Sequence, residues 1–154
     1  GIVQPEAVVD VIKMLVDLGV NEVSIGDTIG KATPDMLLSL MENLLGKHNY
    51  SPDLFWMHMH DTYGTRFQDG TAMPNIQKCL DIGLRQFDSS VGGLGGCPYA
   101  PGASGNVSTN DLVAHLHAEG FDTGVDLEKL NKAGHFIAKV LQKKLPSEVL
   151  NSST

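Results

Sequence analysis

Two histidines, a cysteine in a glycine-rich loop and three regularly placed aspartates are the residues of this chain whose types and spacing could do chemistry. His58 and His60 are two apart in LFWMHMHD, a strand-like run, so their imidazoles project from one face together with Trp56. Such a pair can chelate a divalent cation with little rearrangement, and Asp61 beside them can orient one ring through its second nitrogen. A hydrogen-bonded pair of strand histidines is the competing reading. Asp27, Asp61 and Asp88 each end a β-like run, which places three carboxylates around one rim. Singly, each also suits a turn-starting role.

The run from Val91 to Asn106 holds six glycines, two prolines and Cys97. Glycines let a backbone approach a ligand closely, and Pro98 and Pro101 limit the freedom they would otherwise give. The spacing fits neither the phosphate-binding P-loop nor the dinucleotide fingerprint. A thiol between Gly96 and Pro98 has little side-chain cover, which points to a reactive group in an active-site loop. Cys79, on an apolar helical stripe, reads as a small hydrophobe instead. Asn106 offers either a neutral oxygen ligand or a helix cap, and His115, His117 and His135 read as surface or packing residues.

The elements that must position these residues follow one grammar three times: amphipathic helix, glycine stop, short strand, terminal Asp. This is the pattern of βα units with a parallel sheet. Helices are expected from Pro5 to Gly19, from Pro34 (capped by Thr33) to Gly46, and from Pro74 to Gly83. Strands are expected at Val23–Asp27, Leu54–Asp61 and Leu84–Ser90. After the loop, Ser108 and Asp126 can cap two further helices, the second carrying Leu127, Leu130, Phe136, Ile137, Val140 and Leu141. Residues 1–145 form one folding unit on this reading, and 146–154 a frayed tail. Strand ends are where βα sheets and barrels place their sites, which raises the weight of the histidine pair.

Eleven basic against eighteen acidic residues give a net charge of -7, which argues against nucleic acid or an anionic membrane as partner. The lysines near the C-terminus fit a solvated helix face. Two cysteines make no disulfide framework and favour a reducing compartment. No apolar run approaches the roughly 20 residues of a membrane span, and no targeting segment is evident. The start at Gly1, without Met, suggests an incomplete or processed N-terminus.

Three stretches, GDTIG at 26–30, HMHDTYG at 58–64 and DSSVGGLGGCPYAPGASGN at 88–106, resemble in that order the 3-hydroxy-3-methylglutaryl-CoA lyase family. The HxHD motif alone indicates only the wider metal-dependent lyase and synthase barrels; the glycine-rich stretch is close to the family signature. The likeness continues through TGVDLEKLNKAGHFI and covers nearly the whole chain. It implies an α/β fold that is part of a TIM (β/α)8 barrel, about its last three βα units with the C-terminal helices, since a closed barrel takes about 250 residues.

The resemblance further implies cleavage of hydroxymethylglutaryl-CoA to acetyl-CoA and acetoacetate with Mg²⁺ or Mn²⁺. Carried over by motif, His58, His60 and Asn106 are cation ligands, Cys97 is the catalytic thiol and Asp27 an active-site carboxylate. It implies an acyl-CoA partner, a homodimer of the full-length parent, and a mitochondrial-matrix or bacterial-cytoplasmic location.

There are departures. The family's fourth ligand, an Asp preceded by a catalytic Arg on the first barrel strand, has no counterpart here. The stretch TRFQDGTAMP at 65–74 is longer than expected, and Asn110 stands where an acid is expected. A C-terminal regulatory cysteine and a peroxisomal ending are absent. The alternatives are a related acyl-CoA aldolase, lyase or synthase, and a truncated, non-catalytic chain or fragment.

Overall fold

A computed structural model describes residues 3–61, 71–96 and 105–152. Its centre is a parallel sheet of three strands in the order β1 (Val23–Gly26), β2 (Phe55–His58), β3 (Phe87–Asp88), with Gly26 opposite His58 and His58 opposite Asp88. Parallel pairing requires a crossover between strands, and helices supply it. The crossover helices are α2 (Pro34–Met41) between β1 and β2 and α3 (Ala72–Asp81) between β2 and β3; α1 (Pro5–Asp17) precedes β1. Helices α4 (Thr109–Ala118), α5 (Leu127–Leu141) and α6 (Glu148–Ser152) follow.

Period-two alternation along β2 separates core from site. Phe55, Met57 and Met59 are at most 1 % exposed and lie on the helical side with Leu44, Ile76, Cys79 and Leu84. Burying each such side chain is worth about 1.5–3 kcal/mol. Trp56 and His58 alternate with them onto the opposite face, level with Ser24 and Gly26 of β1, which are exposed. The helices bury complementary stripes, Val9 and Ile12 from α1 and Leu37 and Met41 from α2. Thr33 caps α2 by accepting the Met36 amide hydrogen at 3.3 Å, with Pro34 in the first turn. Ser108 and Asp126 cap α4 and α5 in the same way, through the amides of Asp111 and Lys129.

Several boundaries differ from the sequence reading, each for a local reason. α2 does not stop at Gly46 but widens into a π-turn over Glu42–Lys47 that buries Asn43 and Leu44, ending at Asn49 in a left-handed conformation. α3 starts at Ala72, so Pro74 occupies its first turn, where amide hydrogens lack intrahelical acceptors. β3 is only two residues long, although the Gln86 carbonyl before it accepts the Met57 amide hydrogen at 3.0 Å; ahead of it the Arg85 side chain donates to the Leu80 and Leu84 carbonyls at 2.8 and 2.7 Å. β2 ends at His58, because beyond it the backbone pairs with the segment following the glycine-rich loop.

The stripe expected on α5 is largely exposed at Phe136, Val140 and Leu141, and the helix instead buries Gly134. The 146–154 stretch is not frayed as far as it is described. It forms α6, with Leu145, Ser147 and Leu150 buried. Its anchor is distant in sequence: Asp111 of α4 accepts hydrogen bonds from Ser147 Oγ, the Glu148 amide and the Val149 amide. Among the described residues, no helix is long and apolar enough to cross a membrane.

Candidate active site

The C-terminal ends of β1, β2 and β3 bring Asp27, His58 and Asp88 to one rim. His58 Nδ1 lies 2.5 Å from Asp88 Oδ1. A carboxylate accepts and does not donate, so Nδ1 carries the proton of this bond and Nε2 is the nitrogen turned outward. That Nε2 is 3.0 Å from Nε2 of His60, with the two rings 4.9 Å apart at 66°. His60 is 6 % exposed, whereas the His58 side chain is 35 % exposed. One ring is held by packing and the other by its carboxylate.

Asn106 joins them through the backbone. After β2, Met59 accepts the Val107 amide hydrogen at 3.1 Å, His60 and Asn106 form an antiparallel bridge, and the Asp61 amide donates to the Gly105 carbonyl at 3.3 Å. The Asn106 side chain donates from Nδ2 to the Leu94 carbonyl at 3.1 Å, which leaves its oxygen as the acceptor end of the amide. Glycines make this closeness possible. A Cβ on Gly95 would lie 2.6 Å from Asn106 Nδ2, and one on Gly105 would overlap the Gly93 carbonyl oxygen. Cys97 lies in 97–104, outside the described residues, as does most of the long 65–74 stretch.

Asp27 stands on the same rim, its amide donating to the His58 carbonyl at 2.9 Å. Both of its carboxylate oxygens accept backbone amides of the following turn, Lys31 at 2.9 Å and Ala32 at 3.0 Å. Each oxygen keeps a second lone pair for a ligand. Asp61 does not orient a histidine; Asp88 has that part for His58. Burial pushes the Asp61 carboxyl up to about 6, the Thr71 and Ala72 amides opposing the shift and the Asp111 charge adding to it. Among the described residues its Oδ1 has no hydrogen-bond partner, and Asp61 lines a cavity of about 30 Å³ with Asn106, Asp111 and Glu148.

Asn110, the neutral residue in an acidic position, is fully buried. Its oxygen accepts the Gly92 amide hydrogen and its Nδ2 donates to Asn131 Oδ1, both at 2.9 Å. An ionised acid could not make the second bond, so the amide suits this environment.

The two Nε2 atoms test the fit of a cation. Adjacent ligands of an octahedral ion with bonds of about 2.1 Å lie roughly 3.0 Å apart, whereas a tetrahedral ion at that bond length needs about 3.4 Å. The observed 3.0 Å matches the octahedral spacing and equally serves an N–H···N bond without an ion. Among the described residues, no three His, Cys, Asp or Glu side chains are grouped to hold a metal. Asn106, bridged to His60 through the backbone, brings a side-chain amide to the same part of the rim.

Asp88 and Asp111 are the contributors whose roles sequence reasoning missed. Nothing local marks Asp111, and the role of Asp88 depends on the β2–β3 register.

Comparison with known proteins places the chain in a family. A family model described as HMGL-like matches residues 1–137. The cytoplasmic 3-hydroxy-3-methylglutaryl-CoA lyase of Rattus norvegicus and the mitochondrial hydroxymethylglutaryl-CoA lyase of Mus musculus are each 42 % identical over 153 residues, covering 99 % of this chain and 42 % and 45 % of their own lengths. An HMG-CoA lyase structure from Acinetobacter baumannii, in complex with coenzyme A and 3-methylmalate, superposes with a TM-score of 0.87 at 31 % identity, covering 98 % of this chain and 47 % of that one. The chain thus spans a little under half the length of the relatives it matches. Its three βα units are part of a TIM barrel.

Proposed function

Because the chain belongs to the HMGL-like family, we propose that its full-length form cleaves 3-hydroxy-3-methylglutaryl-CoA to acetyl-CoA and acetoacetate. The observation that carries this reading is the convergence of His58 and His60 Nε2 at 3.0 Å on the strand-end rim, beside the backbone-paired Asn106. We assign His58, His60 and Asn106 as ligands of Mg²⁺ or Mn²⁺. Held there, a cation would supply Lewis acidity that makes the substrate's 3-hydroxyl easier to deprotonate.

Cleavage requires loss of the hydroxyl proton, rupture of the adjacent carbon–carbon bond to give the ketone, and protonation of the acetyl-CoA enolate carbon. Cys97 is assigned the proton transfer, which requires no covalent acyl-enzyme. Asp27 supplies a carboxylate at the same rim, already oriented by the Lys31 and Ala32 amides. The acyl-CoA partner is supported by the coenzyme A bound to the A. baumannii relative. A homodimer and a mitochondrial-matrix or bacterial-cytoplasmic location complete the proposal, the relatives being named as cytoplasmic and mitochondrial. Sedimentation and imaging of the tagged full-length protein test both.

The deciding experiment follows acetoacetate release from hydroxymethylglutaryl-CoA by the full-length protein, chelated and then resupplied with Mg²⁺ or Mn²⁺. Activity should depend on the added cation and fall by at least about a hundredfold in Cys97→Ala. Undiminished turnover by the thiol-less variant would remove Cys97 from the chemistry, and absence of acetoacetate would remove the substrate assignment.

A further inference from the structure

We infer that residues 145–152 are a clamp that sets the position of Asn106, with Asp111 as its latch and a positioning residue. The inference rests on the reading of Asn106 as a cation ligand.

Packing runs without interruption from the latch to the ligand. Asp111 Oδ1 accepts from Ser147 Oγ and the Val149 amide, both at 2.9 Å, and its Oδ2 accepts the Glu148 amide at 3.2 Å. These bonds cap α6 from another helix. Leu150 completes the hold from the far side, lying over Gly134 of α5, where an added Cβ would come within 2.5 Å of it. Held in this way, Leu145 and Pro146 fill the space beside the backbone at 92–93. A Cβ on Gly92 would overlap Leu145, and one on Gly93 would lie 2.8 Å from Pro146 Cγ.

On its other side, Gly93 meets the ligand-bearing segment directly. The same added Cβ would be 3.3 Å from the Asn106 carbonyl oxygen, and the Gly93 carbonyl packs on Gly105. Pro146, Gly93 and Asn106 are therefore stacked with no compressible side chain between them. Close-packed contacts of this kind transmit a displacement rather than absorb it. Asn106 is also held by the bridge to His60, so its backbone lies between that bridge and the Gly93–Pro146 contact.

The variants separate latch from charge. Asp111→Ala removes all three acceptor contacts and the carboxylate. Asp111→Asn removes the same charge, including its influence on Asp61, but keeps an oxygen for Ser147 Oγ and the Val149 amide. Gly134→Ala displaces Leu150 without touching Asp111. The readout is Mn²⁺ affinity of the full-length protein by titration calorimetry, with His58→Ala as the site control and hydrogen exchange of the Val107 amide as a metal-independent measure.

In Asp111→Ala and Gly134→Ala, affinity should fall by at least about tenfold, the scale of other supporting contacts to metal ligands, and Val107 protection should fall with it. Asp111→Asn should recover to within about threefold of wild type. Wild-type affinity in a folded Asp111→Ala, or equal loss in the Asn and Ala variants, overturns the clamp while the ligand assignment stands. No Mn²⁺ binding by the wild type, or binding unaffected by His58→Ala, overturns the ligand assignment and the clamp with it. Should Asp111→Ala fail to fold, Gly134→Ala decides by the same criteria.

Discussion

At Asp88 a single carboxylate selects which nitrogen of His58 faces the rim. Asn in its place keeps an oxygen for Nδ1–H but loses the charge, whereas Ala loses both. Asp88→Ala should therefore weaken Mn²⁺ binding about 10–100-fold, and Asp88→Asn by less, as calorimetry will show. Nitrogen NMR of His58 should show an Nε2–H form only in the Ala variant. Cys79 is the opposite case, a thiol held out of chemistry. Burial pushes it up to about 12 from 9.0. The folded state therefore disfavours the thiolate, and stability is lost as pH rises from 9 toward 12, by up to about 1.4 kcal/mol per pH unit for one group. Urea midpoints of wild type and Cys79→Ala should converge over that window; a constant difference would refute the assignment.

Elements with a strong local period were legible in the sequence, and those defined by partners far along the chain were not. His58 and His60 could be placed on one face because a strand alternates every two residues. Thr33, Ser108 and Asp126 could be assigned as caps because each acts within three residues. The partnership of His58 with Asp88 needed the pairing of β2 with β3, which no local pattern encodes. The folding of 145–152 was hidden for the same reason, since its cap lies in α4 and its buried residues, Leu145, the polar Ser147 and Leu150, are too few to show an apolar stripe. Its docking predicts a local effect. Leu150→Ala should cost about 2–4 kcal/mol and remove exchange protection from the Val149 and Leu150 amides before that of α3. Uniform loss across the molecule would mean that α6 is not a separable unit.

For the molecule as a whole, the three-stranded sheet ends at β1 on one side and at the two-residue β3 on the other. Open strand edges pair readily with other chains. Val11, Met14 and Leu18 of the α1 region and Phe136 and Val140 of α5 add exposed apolar surface. The 154-residue chain produced alone should therefore associate in size-exclusion chromatography and release no acetoacetate. A monodisperse, cooperatively unfolding monomer with lyase turnover would contradict this.

Beyond His58, β2 leaves its ladder to pair with Gly105, Asn106 and Val107, and this has a consequence for biosynthesis. A nascent chain that has emerged only as far as Gly96 already displays both imidazoles, but neither the third donor nor the backbone that closes over them. The proposed ion site is thus complete only after the segment ahead of α4 has been made and has docked, and α6 arrives later still. Contacts of such sequence separation form late. On the proposed ligand assignment an ion is loaded only once the chain has been made beyond Val107, and translation stalled within the glycine-rich loop leaves the two histidines without Asn106.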